Sequence, residues 1–212
     1  MEVPAYGMIE AARYISVPYQ TLRYWTQVNP LIQIASASPP RLSFINLMEC
    51  HMLSSMRSVY KVSIPKVRAA LKALAKIHPL RHPLVDQPFE TDEIDLFVRE
   101  YGSEIVNLCR GGQMAFKVIV ATHLKRIEID ATGVYRFFPF IELRSDLEPK
   151  SIMITPTVSF GKPVISGTGI STSVIASRFH ARESVDALAE EYGRPVTEIE
   201  EAIRWESRTI PA

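Results

Sequence analysis

Three things are scarce in this 212-residue chain, and each scarcity narrows what it can be. Two cysteines, Cys50 and Cys109, cannot build a disulfide framework, which points to a reducing cytoplasm. No apolar run approaches the roughly 20 residues that cross a bilayer. The longest candidate, Met114 to Thr122, is broken by Lys117, and Met1-Glu2-Val3-Pro4 lacks the basic start of a signal peptide, so no membrane contact is expected. Net charge is also nearly absent, +1 from 24 basic and 23 acidic side chains, which on its face argues against a nucleic-acid partner. Catalytic signatures are missing too: there is no GxxxxGK[ST], GxSxG or HExxH. What the chain does have is 47% hydrophobic residues, ordinary for a folded protein and too many for a disordered one.

The near-zero charge is a cancellation. Residues 1–85 hold ten basic and three acidic side chains, 86–150 hold eight and twelve, and 151–212 hold six and eight, giving +7, −4 and −2. A basic head joined to acidic segments suggests nucleic acid at one end and other partners at the other. Prolines in His78-Pro79-Leu80-Arg81-His82-Pro83 and in Glu148-Pro149-Lys150-Ser151 mark linkers. The divisions are therefore a DNA-binding head at 1–78, a small α+β segment at 84–148, a three-helix domain at 151–206 and a tail at 207–212. The expected fold class is α+β.

In the head, Gly7–Ile15 reads as a short helix with Ile9, Ala12 and Ile15 inward, and Pro18 opens a second helix through Gln27. Leu22 and Trp25 would face the first helix, leaving Tyr19, Gln20, Arg23 and Tyr24 outward. Two such helices and a tight turn form a helix-turn-helix. Arg suits guanine or phosphate, Gln suits adenine and Tyr suits phosphate; an ordinary polar surface helix is the alternative. Leu31–Ile34 and Arg41–Phe44 look like a hairpin in the place of a wing, with Arg41 able to reach the DNA backbone. Helices follow at about Ile45–Tyr60 and Ile64–Ile77.

Glu10-Ala-Ala-Arg-Tyr-Ile15 and Thr21-Leu-Arg-Tyr-Trp25, with the hairpin after them, resemble the winged helix-turn-helix of MerR-type regulators. The resemblance covers about 75 residues. It implies that Arg23 and Tyr24 contact the DNA backbone, that Tyr19 and Gln20 lie near base edges, and that Arg13 and Arg41 join the DNA-binding set. Ile45–Tyr60 is too short for the long coiled coil of MerR dimers, so a homodimer needs another surface.

In the middle, Pro88–Val98 and Glu104–Cys109 read as strands, Gln113–Lys125 as a helix packing Phe116, Ile119, Val120 and His123 or Leu124, and Ile127–Asp130 with Val134–Pro139 as two further strands. Gly111-Gly112-Gln113 is a turn and helix start. Asp92, Glu93 and Asp95 lack a cation-loop spacing, and Pro79 spoils His78 and His82 as a pair, so neither a metal nor a cofactor is expected. An enzyme is disfavoured.

The C-terminal segment starts with an extended run, Ile152–Phe160, then Gly161–Gly169, where Gly167 and Gly169 permit positive φ around Thr168. Helices follow at about Ser171–Ala181, Ser184–Tyr192 and Val196–Glu206, with Ser184 an N-cap and Gly193 and Pro195 as punctuation. Val174, Ile175, Phe179, Val185, Leu188, Ala189, Ile199, Ala202 and Ile203 would point inward. The last helix presents Glu198, Glu200, Glu201 and Glu206, which would repel phosphate, so this helix-turn-helix-like unit is expected to hold a protein.

Val158-Ser-Phe-Gly-Lys-Pro-Val-Ile-Ser-Gly-Thr-Gly-Ile170, Leu188–Tyr192 and Val196–Ile203 resemble a domain of unknown function, of the DUF433 kind, similar to domains in VapB-type antitoxins. Those antitoxins pair with PIN-domain ribonuclease toxins. The resemblance implies an antitoxin that neutralises a PIN-domain toxin and binds operator DNA to repress its own operon, with Arg204, Trp205 and Arg208 facing the toxin's acidic centre. The alternative is a MerR-like transcriptional regulator whose middle segment senses a ligand and which has no toxin partner.

Overall fold

The computed structural model describes residues 1–58, 122–123, 125–129, 135–141 and 148–208, together with Ile64, Pro65, Arg68, His82, Leu84 and Val85. The fold is α+β. The readings of Pro88–Val98, Glu104–Cys109, the Gly111 turn, most of Gln113–Lys125 and Ile64–Ile77 lie outside the described residues.

Strand β1 (Tyr6–Gly7) runs into helix α1 (Met8–Tyr14). Glu10 sits in the first turn and accepts the Gly7 amide at 3.3 Å, satisfying a donor that a helix start leaves open. α1 buries Met8, Ala11, Ala12 and Tyr14, while Ile9, expected inward, is 70% exposed. Ser16 (φ 52) turns the chain, and Pro18 precedes α2 (Tyr19–Arg23), which continues as a wider π-turn over Tyr24–Val28.

The hairpin forms closer to its tip than expected, as β2 (Ser36–Ala37) and β3 (Pro40–Leu42). Residues 31–35 bond elsewhere: Leu31 and Ile32 amides donate to the Trp25 carbonyl, and Asn46 ties the Gln33 carbonyl and Ala35 amide. β3 instead gains β1, in antiparallel register Tyr6 with Leu42, giving the order β1-β3-β2. Helix α3 (Phe44–Ser58) buries Phe44, Leu47, Met48, Cys50, Met52 and Leu53 together with Asn46, Glu49, His51 and Ser55. A helix buried on every side is a core helix, so α3 is unavailable for a coiled coil because it is already enclosed.

The expected strand pair in the middle is present as β4 (Ile127–Ile129) and β5 (Tyr135–Phe137). Phe137 exchanges both backbone hydrogen bonds with Ile154, at 2.9 and 2.8 Å, linking this pair to the next segment. His51, His123, Phe137 and Phe140 stack together, and Arg126 lies 4.3 Å over the Phe140 ring. The Arg126 guanidinium also donates to the Glu148 carbonyl at 2.7 Å and the Pro149 carbonyl at 3.2 Å, fixing that proline-bearing connection.

Strands β6 (Ile152–Met153) and β7 (Val164–Ile165) pair antiparallel around a 3-10 turn at Ser159–Gly161. Three helices complete the chain: α4 (Thr172–His180), α5 (Val185–Tyr192) and α6 (Val196–Ser207). Ser184 accepts the Ala187 amide at 3.1 Å as the N-cap of α5, and Gly193 (φ 60) ends it in the left-handed region. Of the expected inward set, Ile175, Leu188, Ala189, Ile199 and Ala202 are buried, and Val185 and Ile203 pack at the edge. Val174 and Phe179 are exposed instead, because α4 turns Thr172, Ile175 and Ala176 toward its neighbours. Gly167 has the positive φ expected of it; Gly169 does not, and Gly161 does. One core cluster runs from Tyr6 and Trp25 in the head to Leu188 and Trp205 in the C-terminal helices.

Candidate nucleic-acid interface and the seam behind it

Helix α2 is short, and its two faces differ sharply. Leu22 and Trp25 are buried, while Tyr19, Gln20, Arg23 and Tyr24 are exposed, the division that the i, i+3 spacing predicts. The Tyr24 hydroxyl accepts from the Asn29 amide at 3.2 Å. Arg41 stands exposed on β3, with one guanidinium nitrogen 3.3 Å from the Ala5 carbonyl. These five side chains offer a cationic fork at two places, an amide and two phenols, the donor set that phosphates and base edges accept.

Arg13 belongs elsewhere. From the last turn of α1 its guanidinium donates to both the carboxylate and the carbonyl of Glu206, at 2.6 and 2.7 Å. The other Glu206 oxygen accepts the Thr172 hydroxyl at 2.5 Å, so one carboxylate joins α1, α4 and α6. Arg208 reaches back across the same seam, donating to the Ser16 hydroxyl at 3.1 Å, the Phe140 carbonyl at 2.9 Å and the Arg13 carbonyl at 3.4 Å. Its guanidinium also covers the Trp205 ring at 3.4 Å. Trp205 is fully buried, with its ring 6.0 Å from Tyr14. Of the three residues expected to face a toxin, only Arg204 lies on the surface, paired with Glu201 at 2.5 Å and Glu200 at 3.4 Å.

The acidic face of α6 is correspondingly altered. Glu206 is turned into the seam, Glu198 is bound by Arg194, and Glu200 and Glu201 share Arg204. The charges that sequence reading lays out as a row of open carboxylates are therefore compensated within the fold. Helical spacing places Arg194 beside Glu198 and Arg204 beside Glu200 and Glu201, but gives no sign of the Glu206 partner, since Arg13 is 193 positions away.

The seam is tyrosine-rich. The Tyr14 hydroxyl donates to Glu10 Oε1 at 2.9 Å, Lys162 pairs with that same oxygen, and Tyr6 and Tyr14 meet edge to face at 6.0 Å. Burial, then the Glu10 charge, pushes both phenols well above their ordinary range. Gly161 packs against Tyr6 so closely that a Cβ there would lie 2.4 Å from the phenol oxygen. Above the seam a cleft of about 820 Å³ opens, bounded by Ile9, Tyr19 and Pro40 on the head side and by Lys162, Pro163 and Ser173 opposite.

Among the described residues, no group of His, Cys, Asp and Glu converges in a way that could hold a metal ion. No described helix is long and apolar enough to cross a membrane.

Residues 152–205 match a family described as "Protein of unknown function (DUF433)". Along nearly its whole length the chain is similar to "Putative antitoxin VapB45" of Mycobacterium tuberculosis (strain ATCC 25618 / H37Rv), at 25% identity over 95% of this chain and 93% of that protein. It is also similar to "Uncharacterized protein Rv2308" of the same organism, at 27% identity over 94% of this chain and 89% of that one. The fold matches the X-ray crystal structure of Rv2018 from Mycobacterium tuberculosis with a TM-score of 0.72 and 22% identity, covering 96% of this chain and 99% of that one.

Proposed function

We propose that this protein is a DNA-binding antitoxin. Its head reads operator DNA as a winged helix-turn-helix, with α1 and α2 as the two helices and the β2–β3 hairpin as the wing. The remainder binds a PIN-domain ribonuclease toxin, and the complex, built on a homodimer, represses its own operon. The reading assigns binding and no catalysis. Tyr19, Gln20, Arg23, Tyr24 and Arg41 are the proposed DNA contacts; Arg13 supports them from behind. Arg204 is the proposed toxin contact, and Trp205 and Arg208 hold the helix that presents it.

The observation that carries the DNA part is the exposed Tyr19–Gln20–Arg23–Tyr24 face on a helix whose opposite face is fully buried. The toxin part is supported by similarity to a protein named as an antitoxin over 95% of this chain. Arg23→Ala is expected to weaken binding to the DNA upstream of its own gene by about 1–3 kcal/mol and to lower the salt slope by about one. An unchanged gel-shift affinity removes the DNA assignment. Co-expression with the protein from the adjacent reading frame should give a complex that co-purifies, and Arg204→Glu should weaken it; two proteins that elute separately remove the toxin assignment.

A further inference from the structure

Among the described residues, the most exposed large hydrophobic side chain is an aromatic one. Phe160 is 96% exposed, at the tip of the Ser159–Gly161 turn. Three consecutive residues there have positive φ: Ser159 at 47°, Phe160 at 55° and Gly161 at 76°. Only the third is a glycine, so two L side chains sit where the backbone crowds Cβ. The turn is nevertheless held in place. Gly161 donates to the Val158 carbonyl at 2.9 Å, Lys162 to the Ser159 carbonyl at 3.0 Å, and the Ser159 hydroxyl to the Gly169 carbonyl at 3.3 Å. Tyr6 closes on Gly161 from the head. A phenyl ring presented to water from a backbone turn fixed in this way has the character of an anchor.

The seam cleft lies beside it, since Lys162 and Pro163 of the same turn form part of the cleft wall. The charges in the cleft are internally matched, Arg13 with Glu206 and Lys162 with Glu10, while Ile9, Pro40 and Pro163 provide apolar rim. A phosphate backbone would meet two carboxylates there, and a charged peptide would find its counter-ions already taken. A neutral aromatic knob complements this neutral, apolar-rimmed cleft. The chain carries such a knob two residues before Lys162 of the cleft wall, and a two-fold contact requires knob and hole to belong to one self-complementary patch.

We propose that the protein dimerises by placing Phe160 of each protomer in the seam cleft of the other. This deepens the homodimer part of the proposed function and supplies a surface in place of the enclosed α3. A two-fold pair also matches the symmetry of a palindromic operator.

Sedimentation of the full chain provides the test. The wild type is expected to be a dimer, and Phe160→Ala and Ile9→Arg are each expected to raise the dimer dissociation constant about 100-fold, with circular dichroism unchanged. Mixing the two variants leaves one intact knob and one intact hole in the mixed pair, so the mixture should associate about tenfold more tightly than either variant alone. A Phe160→Ala protein that dimerises like wild type, or a mixture no tighter than its components, overturns the interface but leaves the homodimer standing. A monomeric wild type overturns both, without bearing on the Arg23 gel shift. If Phe160→Ala keeps the dimer but loses affinity for the upstream duplex or for the adjacent-frame protein, the ring serves that partner and the dimer interface is overturned.

Discussion

Gly161 and Gly167 share nearly the same backbone twist, φ +76 and +73, but different surroundings. A Cβ at Gly167 meets nothing within 4 Å, whereas one at Gly161 would collide with the Tyr6 phenol. Gly167→Ala is therefore expected to cost only the left-handed conformation, about 1–2 kcal/mol. Gly161→Ala should cost more in urea unfolding, and Tyr6→Phe in the same chain should recover part of the difference. Equal losses for the two glycines would show that the contact with Tyr6 carries no energy. Sequence alone pointed to Gly167 and to Gly169, and could not single out Gly161, because its requirement is set by a side chain 155 positions earlier. Ile9 and Phe179 were misplaced for a related reason. Helical spacing identifies an apolar residue's face, but what covers that face is decided by other segments.

Local chemistry decided the C-terminal elements, and these were read with good fidelity. Ser184 precedes an apolar-periodic stretch and caps it, so Ser184→Ala should lower stability by about 1 kcal/mol. Ser171 stands in the equivalent place before α4, yet its hydroxyl meets only the Ser173 hydroxyl at 2.9 Å and caps no amide. Ser171→Ala should consequently change the unfolding midpoint little. Between α4 and α5, Arg178 binds Glu183 and Glu191 at 2.5 Å each, with the Tyr192 hydroxyl at 3.0 Å. Its hydrogen bonds hold both carboxyls below their ordinary value of 4.5. Groups lowered in the fold stabilise it at pH above that value, and the contribution fades as pH falls through their folded pKa. Arg178→Met should thus flatten the acid limb of a stability-against-pH curve below about pH 4.5 while leaving its form near pH 7; parallel limbs for the two proteins would dismiss the network. The exposed face of α2 was equally legible, from Leu22 and Trp25 at i and i+3. The two-stranded β2–β3 hairpin was legible in kind but not in extent, since Asn46 captures backbone groups that the alternating pattern assigns to strands.

At the scale of the whole molecule, head and C-terminal helices are joined by the Glu206 clasp and by the buried phenols of Tyr6 and Tyr14. Arg13→Ala removes hydrogen bonds from a guanidinium to a largely buried carboxylate and should cost about 2 kcal/mol in chemical unfolding. Because both phenols are raised above 10.0 in the fold, their neutral forms favour it: the stabilisation is complete below that pH and declines as pH rises past it. Tyr14→Phe should accordingly soften the alkaline loss of stability above about pH 10; an unchanged alkaline limb would remove Tyr14 from the account. The charge blocks distinguish a basic head from an acidic remainder, but give no sign of this joint. Acidic residues on α6 read as an outward face, whereas Glu206 is the point where three helices meet.

The fit of Gly161 beneath Tyr6 also bears on inheritance. A C-terminal segment transplanted from another protein would seat on this head only if it brought a glycine at that position, a lysine for Glu10 and an acid for Arg13. Head and tail are then not interchangeable modules but a matched pair, in which a change on one side must be answered on the other. A chimera joining this head to a foreign tail should fold poorly until those three positions are restored together.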